Sequence, residues 1–396
     1  MTHIVDQVSL GAIVQVRDRL LDQQARGRKV LRLESGDPSF DIPLHAREAM
    51  EKALRDGLTH YTASTGIPPL RKAIFQKVTW ENGLNVPNED HIVVTNGGMH
   101  GLYILFRALL EAGDEVILPD PMWTEIAENI RLSSGKPVPV VLRAERGYQY
   151  DPSGIEAAIT PRTRAIFVNT PHNPTGAVAT RETLEAIAAL AEKHDLLLVS
   201  DEAYEHVIFD GSRHVSLGSL PGARDRTLSV YSMSKTYAMS GLRLGYLVIN
   251  DVHLLERIKK LVRCTINGVN SVAQYGAAAA LNGPQDATIS MAQEYQRRRD
   301  ILFAALEEAP YVRAFKPGGA FYLWARIQPE WPGYDGRRDD WSMTNYLIDH
   351  AGIGSSPGSA FGAAGAGCIR FAFSCSTDQV EEAARLLPDV LSRAGK

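Results

Sequence analysis

The sequence is poor in cysteine and has no blocks of like charge, and each shortage closes off a class of protein. Cysteine occurs only as Cys264, Cys368 and Cys375. An odd count without zinc-ligand spacing excludes a disulfide framework and a zinc site, and fits a reducing, cytoplasmic compartment. The net charge is −4 and no run of one sign stands out, so nucleic acid is not an expected partner. No apolar stretch is long enough to cross a bilayer. The opening MTHIVDQVSLGAIVQVRDRLL alternates polar and apolar residues and lacks the continuous core of a signal peptide. Low-complexity segments and internal repeats are missing as well.

What remains is an ordinary globular composition over 396 residues, enough for two domains or one large domain with an appendage. From about residue 90 to 250, short apolar runs alternate with helix-like segments. The runs are HIVVT (91–95), EVILP (115–119), PVPVVL (137–142), RAIFVN (164–169), LLLVSD (196–201), TLSVYS (227–232) and LGYLVIN (244–250). Such alternation predicts an α/β fold with a mostly parallel central sheet and helices on both faces. After residue 250 the pattern changes to long helices reaching about 308. GGAFYLWARI then reads as a strand, a helix lies near 340–351, and CIRFAFS is followed by a terminal helix. This predicts a smaller α+β domain at 296–396 and a large domain at 46–295. Residues 1–45 are expected to pack with the small domain, since KVLRLESGDPSF reads as a strand leading into a turn.

Ligands of parallel sheets bind at the carboxyl ends of the strands, and the residues there are unusual. TNGGMHG places two glycines at a helix start, where free backbone N–H groups form an anion cup. A tight strand–helix turn is the competing reading. Trp123 in PDPMWTE is placed to stack on a planar ring or to fill the core. NTPHNPTG holds Asn173 in a proline-stiffened turn. Asp201 ends a buried-type run, where a carboxylate is costly unless it is paired or caps a helix. Tyr204 follows three residues later. The last strand end gives SMSKTYAMSGLRLGY, with Ser232, Ser234, Lys235 and Arg243. A lysine near a phosphate cup, an arginine and a buried acid can become a nucleophilic amine.

Together these motifs resemble the class I aminotransferases, aspartate/aromatic aminotransferase-like enzymes of the pyridoxal-phosphate-dependent fold-type I group. SMSKTYAMSGLRLGY matches that family's S-x-S-K-x7-R pattern and NTPHNPTG its N-x-P-x-N-P-T-G pattern. The likeness runs from LESGDPSFDIP to IRFAFSCSTDQVEEAARLL. The resemblance implies a ping-pong transfer of the α-amino group of an L-amino acid to a 2-oxo acid, through pyridoxamine phosphate. It implies that Lys235 forms the Schiff base with the cofactor aldehyde and moves the substrate proton. Asp201 is expected to hold the ring nitrogen, Asn173 and Tyr204 the ring oxygen, and Trp123 the ring face. Ser232, Ser234, Arg243, Gly98 and Met99 are expected to cradle the phosphate. Arg370 is expected to clamp the substrate α-carboxylate, with Asn173 and the backbone of Gly36 alongside. The alternation in CIRFAFS independently sets Arg370 opposite Ile369, Phe371 and Phe373. Tyr61 is expected to reach the phosphate of a neighbouring subunit, which implies a homodimer with shared active sites. No metal, nucleic-acid or membrane partner is implied.

One position departs from the family. Bacterial aspartate aminotransferases of this branch often carry a lysine where Met99 stands, and a thioether cannot pair with a distal carboxylate. The reading therefore favours a less polar side chain, which Met99 and Tyr322 would suit, unless His60, Arg131 or Arg263 replaces the missing cation. His100, also near the cup, reads as a solvated or packed histidine. Fold-type I frameworks also support β-elimination, γ-chemistry, decarboxylation and oxidation. A regulator built on the same fold would carry an added DNA-binding domain, for which no basic helix-turn-helix is present.

Overall fold

The computed structural model describes residues 4–8 and 11–395. A large sheet of seven strands is built from β1 (Ile92–Thr95), β2 (Glu115–Asp120), β3 (Lys136–Val141), β4 (Thr163–Asn169), β5 (Leu197–Asp201), β6 (Thr227–Ser232) and β7 (Gly245–Ile249). Their order is β1-β7-β6-β5-β4-β2-β3. The pairings among β3, β2, β4, β5 and β6 are parallel, and only β7 is antiparallel to its neighbours. Thr95, Asp120, Asn169, Asp201 and Ser232 therefore all end strands at one edge.

The sequence explains this arrangement strand by strand. β2 and β7 are buried along their whole length and carry the apolar runs VILP and GYLVI, as expected for strands covered on both faces. β3 carries Pro137 and Pro139, which cannot donate to a ladder, and it lies at the sheet edge, where that loss is tolerated.

A second sheet is wholly antiparallel, ordered β10-β11-β9-β8. Its strands are β8 (Val312–Phe315), β9 (Tyr322–Ile327), β10 (Ser356–Pro357) and β11 (Cys368–Ala372). The N-terminal segment rides on it. Leu31 bridges Ile353, and the Ala372 N–H donates to the Leu33 carbonyl. One helix, Asp286–Glu308, runs unbroken through residue 295 and packs Met291, Tyr295 and Leu302 into the core of the small sheet.

Three local expectations change. KVLRLESGDPSF forms a single β-bridge at Leu31 rather than a strand. The strand expected in GGAFYLWARI begins only at Tyr322, because the N–H groups of Gly318 and Gly319 both donate to the Gly176 carbonyl. The strand in CIRFAFS ends at Ala372.

Candidate active site

A cavity of about 770 Å³ opens between the carboxyl edge of the large sheet and the small sheet. Its floor begins at the helix Gly97–Leu109, which follows β1 directly. No side chain caps the start of that helix, so its first N–H groups stay available to an anion. A Cβ on Gly97, whose φ is +81°, would lie 2.6 Å from the Arg243 Nη2. The missing side chain thus lets the guanidinium lie against the helix start. Gly245 has a similar role, since a Cβ there would meet the Gly98 backbone nitrogen at 2.7 Å. Ser232 ends β6 and accepts the Ser234 N–H at 3.2 Å, which turns both serines and Lys235 toward the same cavity.

Lys235 is half-buried, and its Nζ donates to the Gly36 carbonyl at 2.7 Å. Burial lowers its pKa to about 8, partly offset by Asp37 and reinforced by Arg243 and Arg370. Asp201 is the reverse case. Burial raises its carboxyl to about 7, although the Ala203 N–H donates to Oδ1 at 3.2 Å. No helix follows Asp201, so the capping alternative falls away. A buried carboxylate with one backbone donor favours a cationic ligand.

The loop after β4 is set by Asn169, a residue the sequence reading passed over. Its Oδ1 accepts the Asn173 N–H at 2.9 Å and its Nδ2 donates to the Asp201 carbonyl at 3.1 Å. Asn173 then receives Arg370 Nη1 at 3.0 Å on its Oδ1. Arg370 Nη2 reaches the Glu34 carbonyl at 2.8 Å and Ser356 Oγ at 3.1 Å, while its Nε is buried without a partner. Arg370 is buried on β11, so the alternative of a surface arginine on an edge strand does not hold. Tyr204 and Tyr322 share a hydrogen bond at 2.8 Å, and burial drives the Tyr204 phenol well above its usual pKa. Gly36 sits against this pair, since a Cβ there would lie 2.2 Å from the Tyr322 hydroxyl. Trp123 lines the cavity, half-buried at the start of the helix Thr124–Leu132.

Met99 lines the cavity too, with Asn129 Nδ2 against its sulfur at 2.8 Å. His60, Arg131 and Arg263 do not line it. Arg131 pairs with Glu128, and His60 lies in a separate groove with Tyr61. His100 bonds Thr265 Oγ1 at 3.1 Å. Tyr61 is 94% exposed and outside the cavity. Five charged residues that the sequence did not single out line it instead: Arg17, Arg32, Glu34, Asp37 and Glu125. Behind Asp201, the ligand atoms of Glu202, Glu205 and His214 lie within 4.8 Å of one another. The Lys77 ammonium already occupies that cluster, 2.5 Å from Glu205.

An anion cradle, a stacking ring, a buried acid and an amine with a loosened proton thus face one space. This set can hold a phosphorylated heteroaromatic ring beside a reactive lysine. No helix among the described residues is long and apolar enough to cross a membrane.

Residues 28–387 match the family described as aminotransferase class I and II. The aspartate/prephenate aminotransferase of Thermus thermophilus is 37% identical, over 100% of this chain and 99% of its own. The aromatic-amino-acid aminotransferase 2 of Thermococcus litoralis is 35% identical over 91% of this chain and 92% of its own. The solved aspartate aminotransferase of Rhizobium meliloti superposes with a TM-score of 0.94 at 32% identity, over 100% of this chain and 99% of that one. With the fold, the lysine-bearing strand end and the matched length in agreement, the chain belongs to the class I and II aminotransferases.

Proposed function

We propose that the cavity binds pyridoxal 5′-phosphate and that this aminotransferase uses it to move the α-amino group of an L-amino acid to a 2-oxo acid in two half-reactions. One observation carries the reading: the half-buried Lys235 amine, the buried Asp201 carboxylate and the uncapped helix start with Arg243 surround one cavity. The cofactor supplies an aldehyde and an electron-accepting ring.

The chain's own residues do the rest. The N–H groups of Gly98 and Met99, the hydroxyls of Ser232 and Ser234, and Arg243 hold the phosphate. Asp201, costly as a lone buried anion, holds the protonated ring nitrogen. Asn173 and Tyr204 offer hydrogen-bonding groups to the ring oxygen, and Trp123 covers a face. Arg370 presents its planar fork to the substrate α-carboxylate, aided by Asn173 and Gly36. Lys235 Nζ takes and returns the proton of the substrate Cα, and its lowered proton affinity suits that exchange.

The relatives are named for aspartate, prephenate and aromatic amino acids. The cavity wall from Ile13, Val14, Met99, Leu102 and Met122 supports a less polar substrate side chain than aspartate. The exposed ring of Tyr61 supports a homodimer in which it serves the partner's phosphate. We read residues 1–45 with the small domain 296–396, and 46–295 as the large domain. The two separate sheets and the Leu31–Ile353 bridge support that division, while the helix Asp286–Glu308 crosses its 295/296 boundary and packs on the small sheet.

The test is a half-reaction. L-Amino acids are added singly, without oxo acid, to cofactor-loaded protein, and the cofactor spectrum and products are followed. Conversion to the pyridoxamine form with the matching 2-oxo acid is expected. Release of ammonia or carbon dioxide, or uptake of oxygen, with the aldehyde form retained would overturn the transamination reading.

A further inference from the structure

We propose that Glu125 reads the substrate side chain, admitting one that ends in a hydrogen-bond donor or cation and rejecting one that ends in a carboxylate. This deepens the aminotransferase reading of the same cavity and rests on it.

Glu125 is the second residue of the helix Thr124–Leu132, next to Trp123. An acid in the first turn stabilises a helix, which accounts for the residue type but not for its surroundings. The side chain lines the cavity and is half-buried. Among the described residues it forms no ion pair. The donors that reach it are neutral: its own backbone N–H and the Thr124 hydroxyl at 3.4 Å. Burial pushes its pKa up, outweighing these donors and the Arg370 charge that pull it down.

The carboxylate also shares the space that receives the substrate. It interacts electrostatically with the Arg370 guanidinium and with Tyr322, the residues around the α-carboxylate position. The apolar residues lining the same cavity, Ile13, Val14, Met99, Leu102 and Met122, offer no charge. Three further arginines line the cavity but none forms an ion pair with Glu125, and Arg243 lies instead against the helix start at Gly97. Arg32 is held by Glu34 at 2.5 Å, and Arg17 stands exposed, one turn beyond Ile13 on the helix Ala12–Ala25.

A second substrate carboxylate brought to this wall would meet a like charge in a half-buried setting, a repulsion that discriminates strongly between ligands. An amide, hydroxyl or ammonium would instead satisfy the free carboxylate oxygens. The substrate class is therefore an L-amino acid with an apolar stem and a donor at its end.

The test uses the holoenzyme and unreactive acids in matched pairs: succinate against succinamate, and glutarate against glutaramate. Each pair differs by one carboxylate-to-amide change. Titration calorimetry should find each monoamide bound roughly tenfold or more tightly than its diacid, and Glu125→Gln should bring each pair to within about twofold. Tighter diacid binding by the wild type, or a ratio that Glu125→Gln leaves in place, overturns the proposal. So does a ratio that responds to Arg17→Gln instead. Calorimetry reads the preference whether or not a ligand turns over. A failure of transamination appears separately, in the half-reaction.

Discussion

Lys235 Nζ donates a hydrogen bond to the carbonyl of Gly36 at 2.7 Å. The bond joins the end of β6 to an N-terminal segment 199 positions away that is itself bound to the small sheet. The reactive amine therefore sits where the two sheets meet. Its proton is held loosely because burial disfavours the charged form, and the Gly36 carbonyl aims it into the cavity.

Cofactor uptake should follow the neutral amine of Lys235. The rate of covalent reaction between apoprotein and pyridoxal phosphate is expected to rise with pH through a midpoint of about 8. The ordinary lysine value is about 10.4. Stopped-flow absorbance checks this, and a midpoint near 10 contradicts it. Lys235→Ala should abolish the covalent phase and cut turnover by roughly three orders of magnitude or more, combining lost nucleophile and lost proton carrier. Unchanged turnover would refute the mechanism.

Arg370 is held as a fork. Its two terminal nitrogens are fixed by Asn173, Glu34 and Ser356, and its guanidinium lies 4.3 Å from the Tyr322 ring centroid. Lysine keeps the charge but cannot reproduce a planar bidentate contact. Arg370→Lys is expected to weaken amino-acid binding by about 2–4 kcal/mol, with a smaller change in the maximal half-reaction rate. Single-turnover titrations separate the two, and binding within threefold of wild type would exclude the clamp.

Much of this was legible in the sequence because strand ends carry local signatures. The apolar runs mark β1 to β7 within a residue or two, Asp201 closes one of them, and Asn173 and Lys235 lie within four residues of the strand ends. What the sequence hid depends on chain segments that meet only in three dimensions. Arg17 and Arg32 reach the cavity because the N-terminal segment lies along β10 and β11, over 300 positions later. Glu125 read as part of a helix start, and only its burial against the cavity gives it a chemical role. For Arg370, period-two alternation set it opposite Ile369 and Phe371 but did not show that both faces of β11 are buried, since that depends on the segments packed on each side. Asn169 acts through its side chain on a loop, a contact with no periodic signal.

Tyr61 presents its ring to solvent, 94% exposed. An aromatic residue so placed has little to contribute to the fold of one chain, so Tyr61→Phe should change apoprotein unfolding by no more than about 0.5 kcal/mol. A hydroxyl that reaches the partner's phosphate forms a charge-assisted bond worth about 1.5–3 kcal/mol. Cofactor dissociation from the dimer should then become roughly tenfold easier. Equilibrium dialysis against pyridoxal phosphate, with size measured by light scattering, checks both. Unaltered cofactor affinity in a stable dimer would remove Tyr61 from the phosphate site.

Asp201 is predicted to stabilise the loaded enzyme's chemistry at a cost to the empty fold. Its folded carboxyl lies near 7, raised by burial above an ordinary value of 3.8. The folded state therefore binds a proton that the unfolded chain has already lost across that interval. Stability of the apoprotein should fall as pH rises from about 4 to 7 and then level off. Asp201→Asn removes the buried charge. Relative to wild type, the variant apoprotein should gain stability over the same interval, by up to roughly 4 kcal/mol above pH 7 and by little at pH 4. Turnover should drop by about 10²–10³-fold, because the ring nitrogen loses its anionic partner. Denaturant unfolding of both apoproteins at pH 4, 6 and 8 checks the first part, and half-reaction rates check the second. A stability difference independent of pH would mean that Asp201 is not an uncompensated anion in the empty cavity. A near-normal rate would mean that it does not hold the ring.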